Sequence, residues 1–260
     1  MKARSAALAL GGLLLAGAAG AADFRWHGSI PEGRTLEIKG VNGDIEASLA
    51  SGGEAEVVAV KRAKRSNPDS VEIKVVEHAD GVTICAVYPS AGFRHNECGA
   101  GDGGRMSADE NDVEVRFTVR VPQGVSFRGR TVNGEIRADG LAAPVDVETV
   151  NGDVRLAAEG SARAQTVNGS IKASLARAAG SEPLEFETVN GSIELQLPAD
   201  VDADLRAETV NGDIESDFPI ETRASRHHHP PTSAHGRLGS GGRTLKLETV
   251  NGSIEVRKSS

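Results

Sequence analysis

The stretch Glu148-Thr149-Val150-Asn151-Gly152-Asp153-Val154 decides how this chain is read, because it recurs. Copies stand at Gln165–Ile171, Glu187–Ile193, Glu208–Ile214 and Glu248–Ile254; a weaker one lies at Thr131–Ile136, and Val41–Ile45 opens the series. Val-Asn-Gly thus occurs seven times, with its asparagines at Asn42, Asn133, Asn151, Asn168, Asn190, Asn211 and Asn251 and its glycines at Gly43, Gly134, Gly152, Gly169, Gly191, Gly212 and Gly252. Successive spacings are 91, 18, 17, 22, 21 and 40 residues. A phrase returning at roughly 20 residues is the mark of a repeat architecture.

Working outward, the flanks alternate. Val145, Val147 and Thr149 share one parity, Val154 and Leu156 the other arm; Leu245, Leu247 and Thr249, then Ile254 and Val256, repeat the scheme. Period-two alternation of β-branched and aliphatic residues reads as half-buried strands. Asn-Gly between them reads as a sharp turn, since both residues tolerate positive φ. Two architectures fit. In one, each Asn-Gly is a hairpin tip, which places Glu187 opposite Glu194, Glu208 opposite Glu215 and Glu248 opposite Glu255, an unfavourable set of like charges. In the other, each Asn-Gly is a corner of a β-solenoid, and a rung of ~20 residues returns it to the same corner one strand spacing, about 4.8 Å, along the axis. Asparagines then stack as an amide ladder, and Val154, Ile171, Ile193, Ile214 and Ile254 stack as core. Stacking also gathers glutamates, so charge alone does not decide.

Composition tips the balance. The chain has 260 residues with 31 Gly but only six Phe, one Tyr and one Trp, so its core is thin and aliphatic. Near-constant spacing and scarce aromatics favour the solenoid: an all-β, single-stranded β-helix-like stack of ~20-residue rungs with an irregular N-terminal cap. With 29 Lys+Arg against 37 Asp+Glu the formal charge is −8, which argues against nucleic acid as a partner.

Met1 to Ala22 has Lys2 and Arg4, then an apolar run from Ala6 to Ala18 and small residues through Ala22. This is the pattern of a cleaved secretory signal, and the run is shorter than the ~20 residues of a spanning helix. The expected mature chain carries no transmembrane segment and resides in the periplasm, in the cell envelope or outside the cell. Export makes Cys85 and Cys98 expected disulfide partners. The expected organisation is a signal peptide over 1–22, a β cap with a disulfide loop over 23–127, and the repeat solenoid over 128–260. A His- and Pro-rich insertion protrudes from one rung at about 223–243, and the charged tail Arg257-Lys258 is a candidate cover for the open end.

With Ile30-Pro31-Glu32-Gly33-Arg34-Thr35-Leu36-Glu37-Ile38 leading into Val41-Asn42-Gly43-Asp44-Ile45, and Val121-Pro122-Gln123-Gly124-Val125 preceding the Thr-Val-Asn-Gly series, the chain resembles the bacterial putative-adhesin β-strand repeat family. This is a domain of unknown function found in exported proteins, and the likeness covers most of the mature chain. It implies a β-solenoid-like fold, export, and no established enzymatic site; the word adhesin is a label of analogy and names no ligand.

Candidate chemistry is sparse. The residue after each repeat glycine is Asp44, Glu135, Asp153, Ser170, Ser192, Asp213 or Ser253, and a calcium ladder would not exchange carboxylates for serines. Glu135 and Asp153 fall on adjacent rungs, near the ~5 Å separation of a retaining glycosidase pair, which raises an envelope polysaccharide-acting enzyme as an alternative. Any solenoid with a repeated acidic position makes such a pair, however, and Trp26 and Tyr88 lie far upstream. His227, His228 and His229, with His235 nearby, raise a metal-binding loop as a second alternative, although three consecutive histidines on extended chain cannot all face one ion. Lys61 to Arg65 is a basic turn read as solvated surface. No nucleophile elbow, phosphate loop, zinc-hydrolase motif or cofactor motif is present. The sequence thus points to a non-catalytic exported protein that binds or scaffolds an unidentified envelope or surface ligand.

Overall fold

In the computed structural model, which describes residues 24–90, 95–177, 182–223 and 232–259, the chain is all-β. The 1–22 segment and His227, His228 and His229 lie outside the described residues. Among the described residues there are a ten-stranded and an eleven-stranded sheet, plus a short two-stranded ribbon.

The two large sheets are the two sides of a solenoid. Every rung lays one strand in the eleven-stranded sheet, turns at its Asn-Gly corner, and lays the next in the ten-stranded sheet. In chain order the rungs are Thr35–Lys39 with Ile45–Leu49, Ser126–Arg130 with Ile136–Leu141, and Val145–Glu148 with Val154–Ala158. Then come Ala162–Asn168 with Ile171–Leu175, Leu184–Asn190 with Ile193–Leu197, Ala203–Asn211 with Ile214–Ser216, and Thr244–Asn251 with Ile254–Lys258. All seven pair in parallel, in register at equivalent positions. The hairpin-tip alternative is thereby excluded.

Alternation does its work at the core. Ile45, Ile136, Val154, Ile171, Ile193, Ile254 and Ile214 meet neighbour to neighbour across the rungs, each buried. On the facing sheet Phe186 sits beside Ala164 and Leu247, so a large ring is accommodated by a small neighbour. Each fully buried aliphatic side chain is worth about 1.5–3 kcal/mol of transfer free energy. The stack gathers them into one continuous cluster between the sheets.

Two features depart from the expectation. First, the spatial order is not the chain order: the last rung lies between the fifth and the sixth, so the corner asparagines run 42, 133, 151, 168, 190, 251, 211. The five-residue connection 198–202 therefore climbs two strand spacings, about 9.6 Å, well within the reach of extended chain. Arg257 and Lys258 consequently sit inside the stack and cover no end. That end of the eleven-stranded sheet is closed by the described part of the expected insertion, which does not protrude: Ser233–Leu238 pairs antiparallel with Ala203–Glu208, and Glu221–Arg223 pairs with it in turn.

Second, the N-terminal segment is more regular than an irregular cap. Gly81–Val87 and Glu114–Val121 extend the two sheets in parallel below the first rung, as a rung whose corner has been replaced by the 88–113 loop. Antiparallel strands then close both sheets: Glu72–His78 on one side, Ala55–Arg62 and Phe24–Gly28 on the other. These antiparallel strands become the sheet edges at this end, in place of the parallel rungs.

Candidate functional site

Four ladders run down the repeat corner. Each asparagine donates its Nδ2 to the Oδ1 of the rung before it at 2.8–2.9 Å, from Asn133 to Asn42 through Asn211 to Asn251. At the bottom, Asn42 Nδ2 donates to the Asn111 carbonyl at 3.3 Å. Beside them the threonines are buried, and their hydroxyls donate to the glycine carbonyl of the preceding rung: Thr131 to Gly43, Thr149 to Gly134, Thr166 to Gly152, Thr188 to Gly169, Thr249 to Gly191 and Thr209 to Gly252, at 2.8–3.1 Å. These threonines share the parity of the core, yet their role passes unread in the sequence. Their invariance within the phrase was the available signal, because a buried hydroxyl needs a partner.

The glycines are there for a different reason from the one expected. Only Gly43, at φ 120°, and Gly252, at 158°, have a positive φ among the seven, and none of the corner asparagines does. What each corner requires is absence of a side chain. A Cβ on Gly191 would sit 1.9 Å from the Gly169 carbonyl oxygen, and on Gly152 2.0 Å from that of Gly134.

The fourth ladder explains the Asp/Ser exchange after glycine. Asp44 Oδ1 accepts from Glu135 N, Asp153 Oδ1 from Ser170 N, Ser170 Oγ from Ser192 N, Ser192 Oγ from Ser253 N, and Ser253 Oγ from Asp213 N, at 2.9–3.3 Å. The position asks for a short acceptor oxygen, which both residue types supply.

The acidic pair Glu135 and Asp153 is occupied by its own sheet. Arg137 lies 2.9 Å from Glu135, and Arg155 contacts Glu135 and lies 3.8 Å from Asp153. His235 is exposed on the closing hairpin, 3.2 Å from Glu221. Among the described residues no group of three or more His, Cys, Asp or Glu is placed to hold a metal ion, and no helix is long and apolar enough to cross a membrane.

Cys85 and Cys98 are disulfide-bonded, with Cα atoms 5.7 Å apart. The bond ties down a glycine loop whose carbonyls cage the Lys39 ammonium: Gly99 at 2.6 Å, Gly103 at 3.0 Å, and Gly101 between them. Burial lowers the Lys39 pKa, and neighbouring Arg130 and Arg128 add to that, while Glu37 opposes it. Tyr88, buried at the same end, donates its hydroxyl to the Val113 carbonyl at 2.7 Å.

What the corner presents outward is a row of valines. Val150, Val167, Val189, Val250 and Val210 are 37–59% exposed, and apart from Leu49 they are the exposed large hydrophobics among the described residues. Two residues earlier in each strand stands a second row, Glu148, Gln165, Glu187, Glu248 and Glu208. The rows flank a shallow groove of about 760 Å³ floored by the threonines and bounded at one end by Thr232 and Ser233. The gathered glutamates are tolerated because Lys246, from the row beyond, reaches Glu187 at 2.5 Å and Glu248 at 2.9 Å. Burial pushes the Glu187 carboxyl up, but the Lys246 hydrogen bond and charge and the Gln165 amide outweigh it, and its pKa lies below the usual value.

Parallel rungs in two sheets and a stacked polar corner define a two-sided β-solenoid repeat protein. The chain belongs to the Toastrack DUF4097 family, whose model matches residues 28–257. No curated protein matches it. Among solved structures it is similar to a "putative cell adhesion protein" from Clostridium sporogenes, at 12% identity over 91% of this chain and 100% of that one, with a TM-score of 0.47. It is also similar to a "putative adhesin" from Bacteroides fragilis, at 12% identity over 91% and 97%, with a TM-score of 0.33.

Proposed function

We propose that the chain is a non-catalytic, exported binding or scaffolding protein of the bacterial envelope, and that the valine-glutamate face of the repeat is its contact surface. One observation carries this reading: the repeat places its valine outside the core on successive rungs, where burial gives it no role. Exposed apolar residues scattered singly are ordinary, but a contiguous row rimmed by polar groups marks an interaction surface. Export is supported by the Met1–Ala22 pattern and by the cystine, which belongs to an oxidising compartment.

The test is co-sedimentation of the purified mature chain with cell envelopes of the source bacterium. The wild type is expected to pellet with the envelopes, and a Val167→Ser/Val189→Ser/Val250→Ser variant of equal melting temperature to remain in solution. Equal pelleting of both removes the contact surface from this face.

A further inference from the structure

We propose that the last rung, Arg243 to Ser259, is an exchangeable element, and that the partner it fits is a second copy of this chain, which donates its own last rung in return. The rung is the seventh in chain order but interior in the stack, between Leu184–Leu197 and Ala203–Ser216. Its place is therefore a slot with a ready-made floor and ceiling, made by residues that precede it.

The slot is acidic and the rung brings the cations. Lys246 meets Glu187 at 2.5 Å and Glu185 at 3.9 Å on one side, and Arg257 meets Glu215 at 2.8 Å and Asp217 at 3.5 Å on the other. Glutamates do not make the difference, since the seventh rung sets Glu248 beside Glu187 and Glu255 beside Glu194 just as the sixth would set Glu208 and Glu215, and Arg206 of the sixth stands level with Lys246; the sixth rung carries Asp217 where the seventh carries Arg257. The slot thus favours the seventh rung over the sixth through Arg257, which meets the stacked Glu215 and Glu255. A seventh rung from another copy supplies the same bonds: at the corner Asn251 to Asn190, Thr249 to the Gly191 carbonyl and Ser253 N to Ser192 Oγ, and at the flanks Arg243 to the Glu182 carbonyl and Ser259 to the Leu197 carbonyl.

The hinge is built for the closed form alone. After Ser233–Leu238 has capped one side of the sixth rung, Gly239-Ser240-Gly241-Gly242 carries the chain round to its other side. The loop is fastened by Ser240 N to Asp202 Oδ1 at 2.6 Å and Gly242 N to Asp204 Oδ2 at 3.1 Å. Gly239, Gly241 and Gly242 have φ of 54°, 73° and 115°, left-handed values that a straightened hinge does not need. Exchange of an identical element between copies through an opened hinge is a low-cost route to a dimer.

The experiment biases the hinge. A Cβ on Gly242 meets nothing within 4 Å, so Gly242→Val strains only the closed backbone and leaves every rung intact. Full-length mature chain is unfolded, refolded at high concentration and sized by chromatography with light scattering. Gly242→Val is expected to raise the dimer fraction roughly tenfold over wild type. In a refolded mixture of copies bearing Ser192→Cys with copies bearing Ser253→Cys, those thiols are expected to form a disulfide between copies. If Gly242→Val does not refold, the milder Gly242→Ala and the wild type are read in the same way. Refolding to monomer alone overturns the proposal, and so does a dimer without the cross-copy disulfide.

Discussion

The middle of the stack and its two ends are made of the same material and behave differently. From Ser126 to Leu197 the rungs follow one another in chain order, and each corner asparagine and threonine finds a partner one rung below. At the lower end the repeat has been rewritten: a tyrosine, a cystine and a caged lysine replace the corner, and antiparallel strands stop the sheets. At the upper end the repeat persists, but the order is broken and a hairpin closes one sheet. The comparison shows that repetition specifies what a rung looks like and leaves its neighbour unspecified. Order comes from the non-repeating residues.

The sharpest way to break that comparison is to bury a charge in each region. Ile193 is fully buried with a rung on either side, whereas Ile214 lies on the outermost rung at 5% exposure. Ile193→Asp is expected to cost on the order of 4 kcal/mol or more and to abolish cooperative melting. Ile214→Asp is expected to cost well under half as much, because the outer rung can lift away and hydrate the carboxylate. Thermal melts followed by circular dichroism decide it: an unchanged melting temperature for Ile193→Asp would refute the stacked core, and equal losses would refute the distinction between middle and end.

How much of this was legible follows the same division. The rung, its strand arms, the Asn column and the apolar ladder from Val154 to Ile254 could be read from Thr-Val-Asn-Gly and its alternating flanks, since those features are local. Rung order could not be read from the repeats, because Glu187–Glu194 and Glu248–Glu255 are the same octapeptide and either can seat on the other. The choice rests on Arg257, level with Asp217 of the sixth rung, and on a hairpin that must cap Ala203–Glu208. The threonine ladder was missed because alternation counts a buried threonine as core and is silent about where its hydroxyl points. Asn-Gly in isolation signals positive φ, which among the corner glycines only Gly43 and Gly252 adopt, whereas close approach of stacked backbones excludes a side chain at every corner.

The lower end is tested through Tyr88. Burial, with the nearby Glu114 charge adding to it and the Asn42 backbone contact opposing, pushes its phenol up to about 12 from 10.0. A folded-state pKa raised above the unfolded one stabilises below the unfolded value and is lost as pH climbs through the folded value. Stability should therefore fall between about pH 10 and 12 by about 2–3 kcal/mol through this group. Tyr88→Phe is expected to flatten that alkaline decline in denaturant titrations while lowering stability at neutral pH, because the Val113 carbonyl loses its donor. A decline of the same size in Tyr88→Phe would assign it to other groups.

The smallest effect separates middle from end most finely. Asn190 donates to Asn168 and accepts from Asn251, so it closes two amide bonds; Asn211, outermost, only donates, to Asn251. Both are exposed, so water competes for each bond and neither is worth much. Asn190→Ala is expected to cost about 1 kcal/mol and Asn211→Ala about half of that. If the amides act as a cooperative column, each bond polarising the next, the interior loss exceeds twice the terminal one. If they act only pairwise, the ratio stays at two. A ratio of one would mean that the asparagine is retained for its backbone at the corner and that the column of amides adds nothing of its own.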